Sequence, residues 1–403
     1  MKTQIEGFGL KDVINNTSLA GWILLARPVI YTLFSRRRDI SEYAAVDFSA
    51  VVFIIFSVVA FFVGLRTITR SQSQIGKTIL NRTPIIIFLA YSVLGIVSML
   101  WSVNYKLTGF RAFECIAMTL LIVAVIQKLF ETGSLKYVIL WSLLYCTWDI
   151  IWALARTAQW ATNIGTLLES SQMMATTFFF MALYFIPRRW YNYLILIMSV
   201  FSMSTVAYIG MALGAISSFW NRGKGRIVAL IAAFFVLLGI VAIGPYKLLK
   251  NSVFFDKKHI SIEETSGRDM LMSATLDCID KYPWGLGFFV AEPYVLYSKG
   301  LHAIGAHNSL FSAGMGLGIP GVILIGLFFI AIGRVTFSRF IPDKYKSILI
   351  GCFCVAFIHC MGNPSVGTRV FGAWIPCMYI FVLICGMYIY GKYFEQDEVE
   401  IED

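Results

Sequence analysis

The sequence has few charged residues, and this scarcity limits the class of protein that it can encode. Charged side chains make up 14% of the 403 residues, whereas a soluble domain usually carries about 25%. Hydrophobic residues make up 58%, and apolar runs of about 17–25 residues recur from residue 18 to residue 390. Because a helix needs about 20 apolar residues to cross a bilayer, the composition excludes a soluble protein and indicates an all-α polytopic membrane protein.

Residues that bind metals and nucleotides are also scarce. The chain has four histidines and eight cysteines, in no spacing that fits a zinc site, and it has no Walker loop. Asp39 and Glu42 resemble a metal-binding acidic pair, but the three arginines before them favour salt bridges instead. We therefore expect no metal and no cofactor. The net charge of +10 indicates membrane orientation rather than a nucleic-acid partner.

Twelve transmembrane helices are predicted. They lie near residues 18–34, 44–64, 85–101, 112–130, 138–154, 172–187, two within 190–220, 227–245, 309–333, 346–361 and 372–390. Residues 193–219 are too long for one comfortable span, so we predict two short helices that turn near Met203–Ala207. Outside the spans and the one long loop, this topology places most Lys and Arg residues on the cytoplasmic side, as the positive-inside rule requires. The exception is Arg36, Arg37 and Arg38, which lie in a predicted external loop. We find no internal repeat or linker, and we expect one membrane domain over residues 1–403 without a cleaved signal peptide.

The longest segment between predicted spans, residues 246–308, is expected to be one large external loop. Residues 266–280 are typical of a short amphipathic helix, with Ser266 as its N-cap. Arg268 falls in the first turn, where the helix dipole disfavours a cation. A guanidinium beside free backbone N–H groups suits a bound anion instead. Cys278 is the only cysteine of the loop, so the loop cannot close a disulfide on itself.

His307 lies just before an apolar run, so it is expected at the membrane surface. An imidazole in that position can take a proton near neutral pH, which suits a catalytic base. An isolated histidine more often caps the following helix, and both roles remain open from this residue alone.

Arginines from other segments are predicted on the same side of the membrane as the loop. Arg111 opens the fourth span, Arg156 follows the fifth, and Arg369 lies between the last two. Each one alone could simply extend its side chain to water. Several basic groups facing one pocket would suit a diphosphate or another polyanion.

Three ionisable residues inside predicted spans are candidates for function, because such residues are costly in a membrane. Glu114 is three residues after Arg111 on one helix, and the two could simply pair. Buried hydrogen bonds are the more common role for Asp149 and His359.

Four short motifs occur in a fairly specific order and spacing. They are Leu100-Trp-Ser-Val103 followed by Arg111, Ser266-Gly-Arg268, Tyr282-Pro-Trp-Gly-Leu-Gly287, and Ala306-His-Asn-Ser309 with Gly316-Leu-Gly-Ile-Pro-Gly321. Together with the number of spans, they resemble the O-antigen ligase and O-antigen polymerase (Wzy-type) superfamily of bacterial envelope enzymes.

The resemblance implies a GT-C-like membrane glycosyltransferase. Such an enzyme takes a glycan from undecaprenyl diphosphate on the periplasmic face and passes it to an acceptor hydroxyl without a metal. By the match, Arg268 binds the diphosphate leaving group and His307 acts as base toward the acceptor. The other residues expected to bind substrate are Arg111, Arg156, Arg369 and Asn308. The expected partners are the lipid-linked oligosaccharide, an acceptor glycan and the bilayer, and a chain-length regulator remains open.

One departure from the family lies at Met203–Ala207, where the family often carries an arginine and this chain has none. The second contact to the diphosphate would then come from elsewhere, such as Arg369 or Arg111. A polysaccharide polymerase is the leading hypothesis, and a ligase that attaches the glycan to a lipid A core or to protein is the close alternative. A transporter of lipid-linked glycans is the third, and it would not need a folded loop.

Overall fold

The computed structural model describes residues 10–34, 47–71, 73–158, 268–300, 308–362, 365–368, 370 and 373–393. Over these ranges the chain is helical and contains no strand. The helices are α1 (Leu10–Asn15), α2 (Leu19–Phe34), α3 (Phe48–Arg70), α4 (Ile75–Leu80), α5 (Thr83–Val97), α6 (Tyr105–Glu131), α7 (Leu135–Ala158), α8 (Arg268–Lys281), α9 (Ala291–Ser298), α10 (Ser309–Thr336), α11 (Asp343–Gly362) and α12 (Trp374–Tyr393).

Six of these helices are long and apolar enough to cross a membrane, namely α3, α5 with the short 3-10 turn after it, α6, α7, α10 and α12. Shorter apolar helices are formed by α2 and by most of α11. Each of the eight overlaps a span predicted from the sequence. The predictions at 172–187, within 190–220 and at 227–245 lie outside the described residues, so the total of twelve and the loop 246–308 stay predictions.

The fourth predicted span starts earlier than expected. Its helix α6 begins at Tyr105 rather than near residue 112. The reason is local, because Asn104 Oδ1 accepts a hydrogen bond from the backbone N–H of Leu107 at 3.2 Å and so caps the helix. Arg111 therefore lies well inside α6, and not at its start.

The centre of the described bundle is formed by α6 and α12. Most side chains of both helices are buried on every side, as expected for a helix that is apolar all round. Helix α6 packs against α2, α3, α5 and α12. Aromatic rings of α7 and α12 pack together beside it, with the ring centroids of Tyr145 and Tyr379 5.1 Å apart.

Helix α10 is interrupted at Gly318, whose φ of 64° and ψ of −151° are not helical. Pro320, two residues later, has no N–H to donate. The N–H of Ile319 donates out of the helix, to the carbonyl oxygen of Pro283 at 2.9 Å. The break therefore leaves backbone groups of α10 free to bond with the segment between α8 and α9.

Candidate active site

The turn Tyr282–Gly287 fills the break in α10. Its backbone N–H groups at Leu286 and Gly287 donate to the carbonyl oxygens of Met315 and Gly316, at 3.1 and 3.0 Å. With the bond from Ile319 to Pro283, this gives three backbone hydrogen bonds between the two segments. Two motifs that are separate in the sequence are thus parts of one structural unit.

Glycines allow the turn to lie this close to the break in α10 and to Ser102. A Cβ atom on Gly318 would lie 1.9 Å from the carbonyl oxygen of Pro283. Gly287 has a φ of 110°, and a Cβ there would lie 2.1 Å from Ser102 Oγ. Both positions therefore need a residue without a side chain.

The segment that carries Trp101 joins the same unit. The indole Nε1 of Trp101 donates to the carbonyl oxygen of Trp284 at 3.1 Å, and the N–H of Val103 donates to that of Leu286 at 3.2 Å. Thr108, in the first turn of α6, donates through Oγ1 to the carbonyl oxygen of Phe288 at 3.3 Å. These three bonds all go to the turn or to the residue after it, so the turn connects the Trp101 segment to the break in α10, which the sequence order alone did not require.

Arg111 of α6 belongs to a buried charge cluster. Its Nη1 donates to Glu114 Oε2 at 2.8 Å, which confirms the pair predicted from their spacing. The other carboxylate oxygen of Glu114, Oε1, accepts from Nη2 of Arg27 at 3.0 Å. Glu114 is 1% exposed, and a buried carboxylate stripped of its partner costs roughly 3–5 kcal/mol. Arg111 is thus the ion-pair partner of Glu114, and its side chain remains 17% exposed.

Arg27 was not among the candidates drawn from the sequence. It lies on α2, is 3% exposed, and also donates through Nη2 to the carbonyl oxygen of Val370 at 3.3 Å. Its guanidinium carbon lies 5.1 Å from the ring centroid of Tyr31 and 5.0 Å from that of Phe53, within cation–π range. The signal that could have found it is the rule applied to Glu114, since Arg27 is also an ionisable residue inside a predicted span.

Phe289 supports Arg111 from the side of the turn. The Arg111 guanidinium lies 5.6 Å from the ring centroid of Phe289. Phe289 has a φ of 65° and is the only residue other than glycine with a positive φ in the described ranges. A bulky residue in this region costs on the order of 1–3 kcal/mol, and such strain clusters at functional sites. The turn thus presents a strained aromatic residue directly to the charge cluster.

Glu292 of α9 is a second residue that the sequence did not single out. It is 1% exposed and accepts hydrogen bonds from Ser312 Oγ of α10 and from Thr368 Oγ1, the latter at 3.2 Å. Thr368 lies in the segment between α11 and α12. Glu292 therefore links two helices to that segment, and only the tertiary structure brings these residues together.

The segment 365–368 is held from several sides. Ser309 Oγ accepts from the N–H of Val366 at 3.1 Å, and the Tyr91 hydroxyl of α5 donates to the carbonyl oxygen of Gly367. Nδ1 of His359 lies 2.7 Å from Ser365 Oγ, so this histidine has the hydrogen bond expected for it, although the bond is only partly buried. The charge cluster reaches the same region through the bond between Arg27 and Val370.

Asn308, predicted to bind substrate, has a structural role in the described residues. Its Oδ1 accepts from the N–H groups of Leu310 and Phe311 at 2.8 and 3.3 Å, as an N-cap of α10. Its Nδ2 donates to the carbonyl oxygen of Met361 at 3.0 Å. Both ends of the amide are therefore engaged with the backbone, and substrate binding by Asn308 stays a prediction.

Of the other predicted site residues, the structure describes two and leaves two outside the described residues. The guanidinium carbon of Arg156 lies 4.8 Å from the ring centroid of Tyr31, the same ring that Arg27 contacts. Arg268 is the first residue of α8, so a short helix is confirmed here, while its place in an external loop stays a prediction and the predicted N-cap Ser266 lies outside the described residues. Both His307 and Arg369 lie outside the described residues. Within the described ranges, no group of three or more His, Cys, Asp or Glu residues is arranged to hold a metal ion.

Comparison with known proteins gives one family. Residues 190–326 match the family model described as O-antigen ligase. No curated protein matches the chain. The matched range includes α8, the turn 282–287, α9 and the first part of α10, which carry three of the four motifs. The resemblance of this chain to the O-antigen ligase and O-antigen polymerase superfamily is therefore confirmed over residues 190–326.

Proposed function

We propose that the protein is a membrane glycosyltransferase that elongates a polysaccharide on the periplasmic face of the bacterial inner membrane. Its donor would be a glycan linked to undecaprenyl diphosphate, and its acceptor a sugar hydroxyl. One observation carries the proposal furthest. The turn 282–287 bonds to both the Trp101 segment and the break in α10, and the nearby Phe289 contacts Arg111. The turn and the break lie inside the range that matches the family.

The chemistry assigned to the site is a single displacement. The acceptor oxygen attacks the anomeric carbon of the donor, and the bond from that carbon to the diphosphate oxygen breaks. His307 takes the proton of the acceptor hydroxyl, which is worth about 10²–10⁴ in rate for a well-placed base. Arg268 stabilises the charge that develops on the departing undecaprenyl diphosphate, and loss of such a group typically costs about 10²–10³.

The remaining arginines would complete the anion site. The exposed part of the Arg111 side chain is available to a phosphate. Arg156 contacts the Tyr31 ring that Arg27 also contacts, and Arg27 shares Glu114 with Arg111. Arg369 is flanked by Thr368 and Val370, which are bonded to Glu292 and Arg27. We assign these arginines to the diphosphate and no metal to the reaction.

A ligase is the second candidate, because the matching family is described as O-antigen ligase. It would use the same donor and the same residues, and only the acceptor would change. The acceptor would then be a lipid A core or a protein instead of a growing glycan.

In vitro transfer tests the proposal. Purified protein in detergent receives an undecaprenyl-diphosphate-linked repeat unit in the presence of EDTA. We expect wild type to form a ladder of longer lipid-linked glycans, and His307→Ala and Arg268→Ala to lower the rate by about 10²-fold or more. Lys106→Ala is the matched control, because Lys106 is an exposed cation on the same helix as Arg111.

Each other outcome has a distinct meaning. Product that forms only after a lipid A core is added would favour the ligase. Loss of wild-type activity with EDTA would overturn the metal-independent chemistry. Full activity in both variants would overturn the assignment of His307 and Arg268.

A further inference from the structure

The cluster formed by Arg27, Glu114 and Arg111 has a surplus of positive charge. Two guanidinium groups share one carboxylate, each through its own oxygen, at 3.0 and 2.8 Å. The next charged groups do not remove the surplus. Among the described residues, Arg156 and Asp149 also act electrostatically on this region, so three arginines there stand against two carboxylates.

The same cluster has unused hydrogen-bond donors. Arg27 Nε, Arg27 Nη1 and Arg111 Nε are buried and have no hydrogen-bond partner among the described residues. Buried polar groups are normally satisfied, and an exception calls for an explanation. Surplus cationic charge together with free N–H groups is the arrangement that an anion would complete.

We propose that Arg27 is a positioning residue of an anion site, and that its role is to keep the charge of Arg111 available to a diphosphate. Without Arg27, Glu114 would neutralise Arg111 and hold it as one closed ion pair. With Arg27 on its second oxygen, Glu114 holds Arg111 in place while the pair of arginines keeps one net positive charge. This inference rests on the proposed function, and it concerns the second contact to the diphosphate, which the sequence left open.

A purely structural role is the alternative. Arg27 also bonds to the carbonyl oxygen of Val370, so its loss could simply loosen the segment next to Arg369. The two roles differ in how they respond to charge. A structural role depends on the hydrogen bonds of Arg27, whereas the proposed role depends on the net charge of the cluster.

Binding of inorganic pyrophosphate to the purified full-length protein separates the two roles. The variants are Arg27→Gln, Glu114→Gln and the double variant, which give the cluster charges of zero, two and one. We expect Arg27→Gln to weaken binding about tenfold, Glu114→Gln to tighten it about threefold or more, and the double variant to return within about threefold of wild type. Affinity is measured by isothermal titration calorimetry, and folding is checked by the melting temperature of each variant.

The proposal fails if wild type binds no pyrophosphate, if Glu114→Gln weakens binding, or if the double variant binds no better than Arg27→Gln. If either Arg27→Gln or Glu114→Gln does not fold, the direction of the affinity change in the other variant decides the outcome. The result is independent of the transfer assay. Binding that follows the charge pattern without any transfer would overturn the glycosyltransferase proposal alone, and transfer without the charge pattern would overturn only this inference.

Discussion

Gly318 shows how one residue can decide the shape of the candidate site. Its φ of 64° and ψ of −151° lie in a region that is essentially restricted to glycine. Its missing side chain is what lets the turn 282–287 enter the break in α10, since a Cβ would overlap Pro283 O. The sequence motif Gly316–Gly321 therefore encodes a helix interruption rather than a site of chemical reaction.

Substitution of Gly318 by alanine is expected to destabilise the protein and to abolish transfer. The strained backbone alone should cost roughly 1–3 kcal/mol, and the clash with Pro283 adds to it. The melting temperature in detergent and the transfer rate measure both effects. Gly326→Ala is the matched control on the same helix, because a Cβ there meets nothing within 4 Å. Equal behaviour of the two variants would show that the break does not depend on Gly318.

At the scale of elements, the short helix α9 carries Glu292, whose carboxylate connects it to two other parts of the chain. Glu292 accepts hydrogen bonds from α10 and from the segment before α12, so it fixes two elements that flank predicted site residues. Ser312 and Thr368 are buried too, and a buried hydroxyl left without its acceptor costs roughly 1–3 kcal/mol. The carboxylate thus links the start of α10 to the residues on either side of Arg369.

Replacement of Glu292 separates positioning from catalysis. We expect Glu292→Ala to lower the melting temperature and the transfer rate together, and Glu292→Gln to have a smaller effect because its amide keeps one acceptor oxygen. The control is Asp280→Ala, which removes an exposed carboxylate from α8. A Glu292→Gln variant with normal stability but no transfer would contradict a positioning role and point to direct participation in the reaction.

The helices could be predicted from the sequence much better than their interactions. The apolar runs predicted all six described helices that could cross a membrane and the two shorter apolar ones, since hydrophobic length is a local property. The spacing of Arg111 and Glu114 predicted their pair for the same reason. Arg27 was missed although it is an ionisable residue inside a predicted span, because its partner Glu114 lies 87 residues away. Glu292 was missed because no local pattern marks it.

For the whole molecule, the predicted topology places Lys106 outside and Lys77 in the cytoplasm. Variants with one added cysteine at either of these two exposed positions can be labelled with a membrane-impermeant maleimide in spheroplasts. We expect Lys106→Cys to react at once and Lys77→Cys to react only after the membrane is permeabilised. The reverse order would overturn the orientation and place Arg111 on the wrong side for a periplasmic site.

Wild-type protein is the control for this experiment. Cys278 is the only cysteine of the predicted loop, and it is 4% exposed. Burial raises the pKa of its thiol, against a smaller opposite effect of Lys299. Because the thiolate is the reactive form, a raised pKa lowers its fraction at any given pH. We expect little labelling of Cys278 at pH 7 and an increase only as the pH rises above the ordinary thiol pKa.

The sequence by itself determined the class of this protein, most of the helices in the described residues and the motifs that resemble the O-antigen ligase and O-antigen polymerase superfamily. These features follow from composition and from neighbours along the chain, which hydrophobicity and helix periodicity describe well. The tertiary structure decided that three motifs form one unit, that Glu114 has Arg27 as a second partner and that Asn308 donates to Met361. Those contacts join residues up to 183 positions apart, and only the packing of the helices brings them within hydrogen-bond distance.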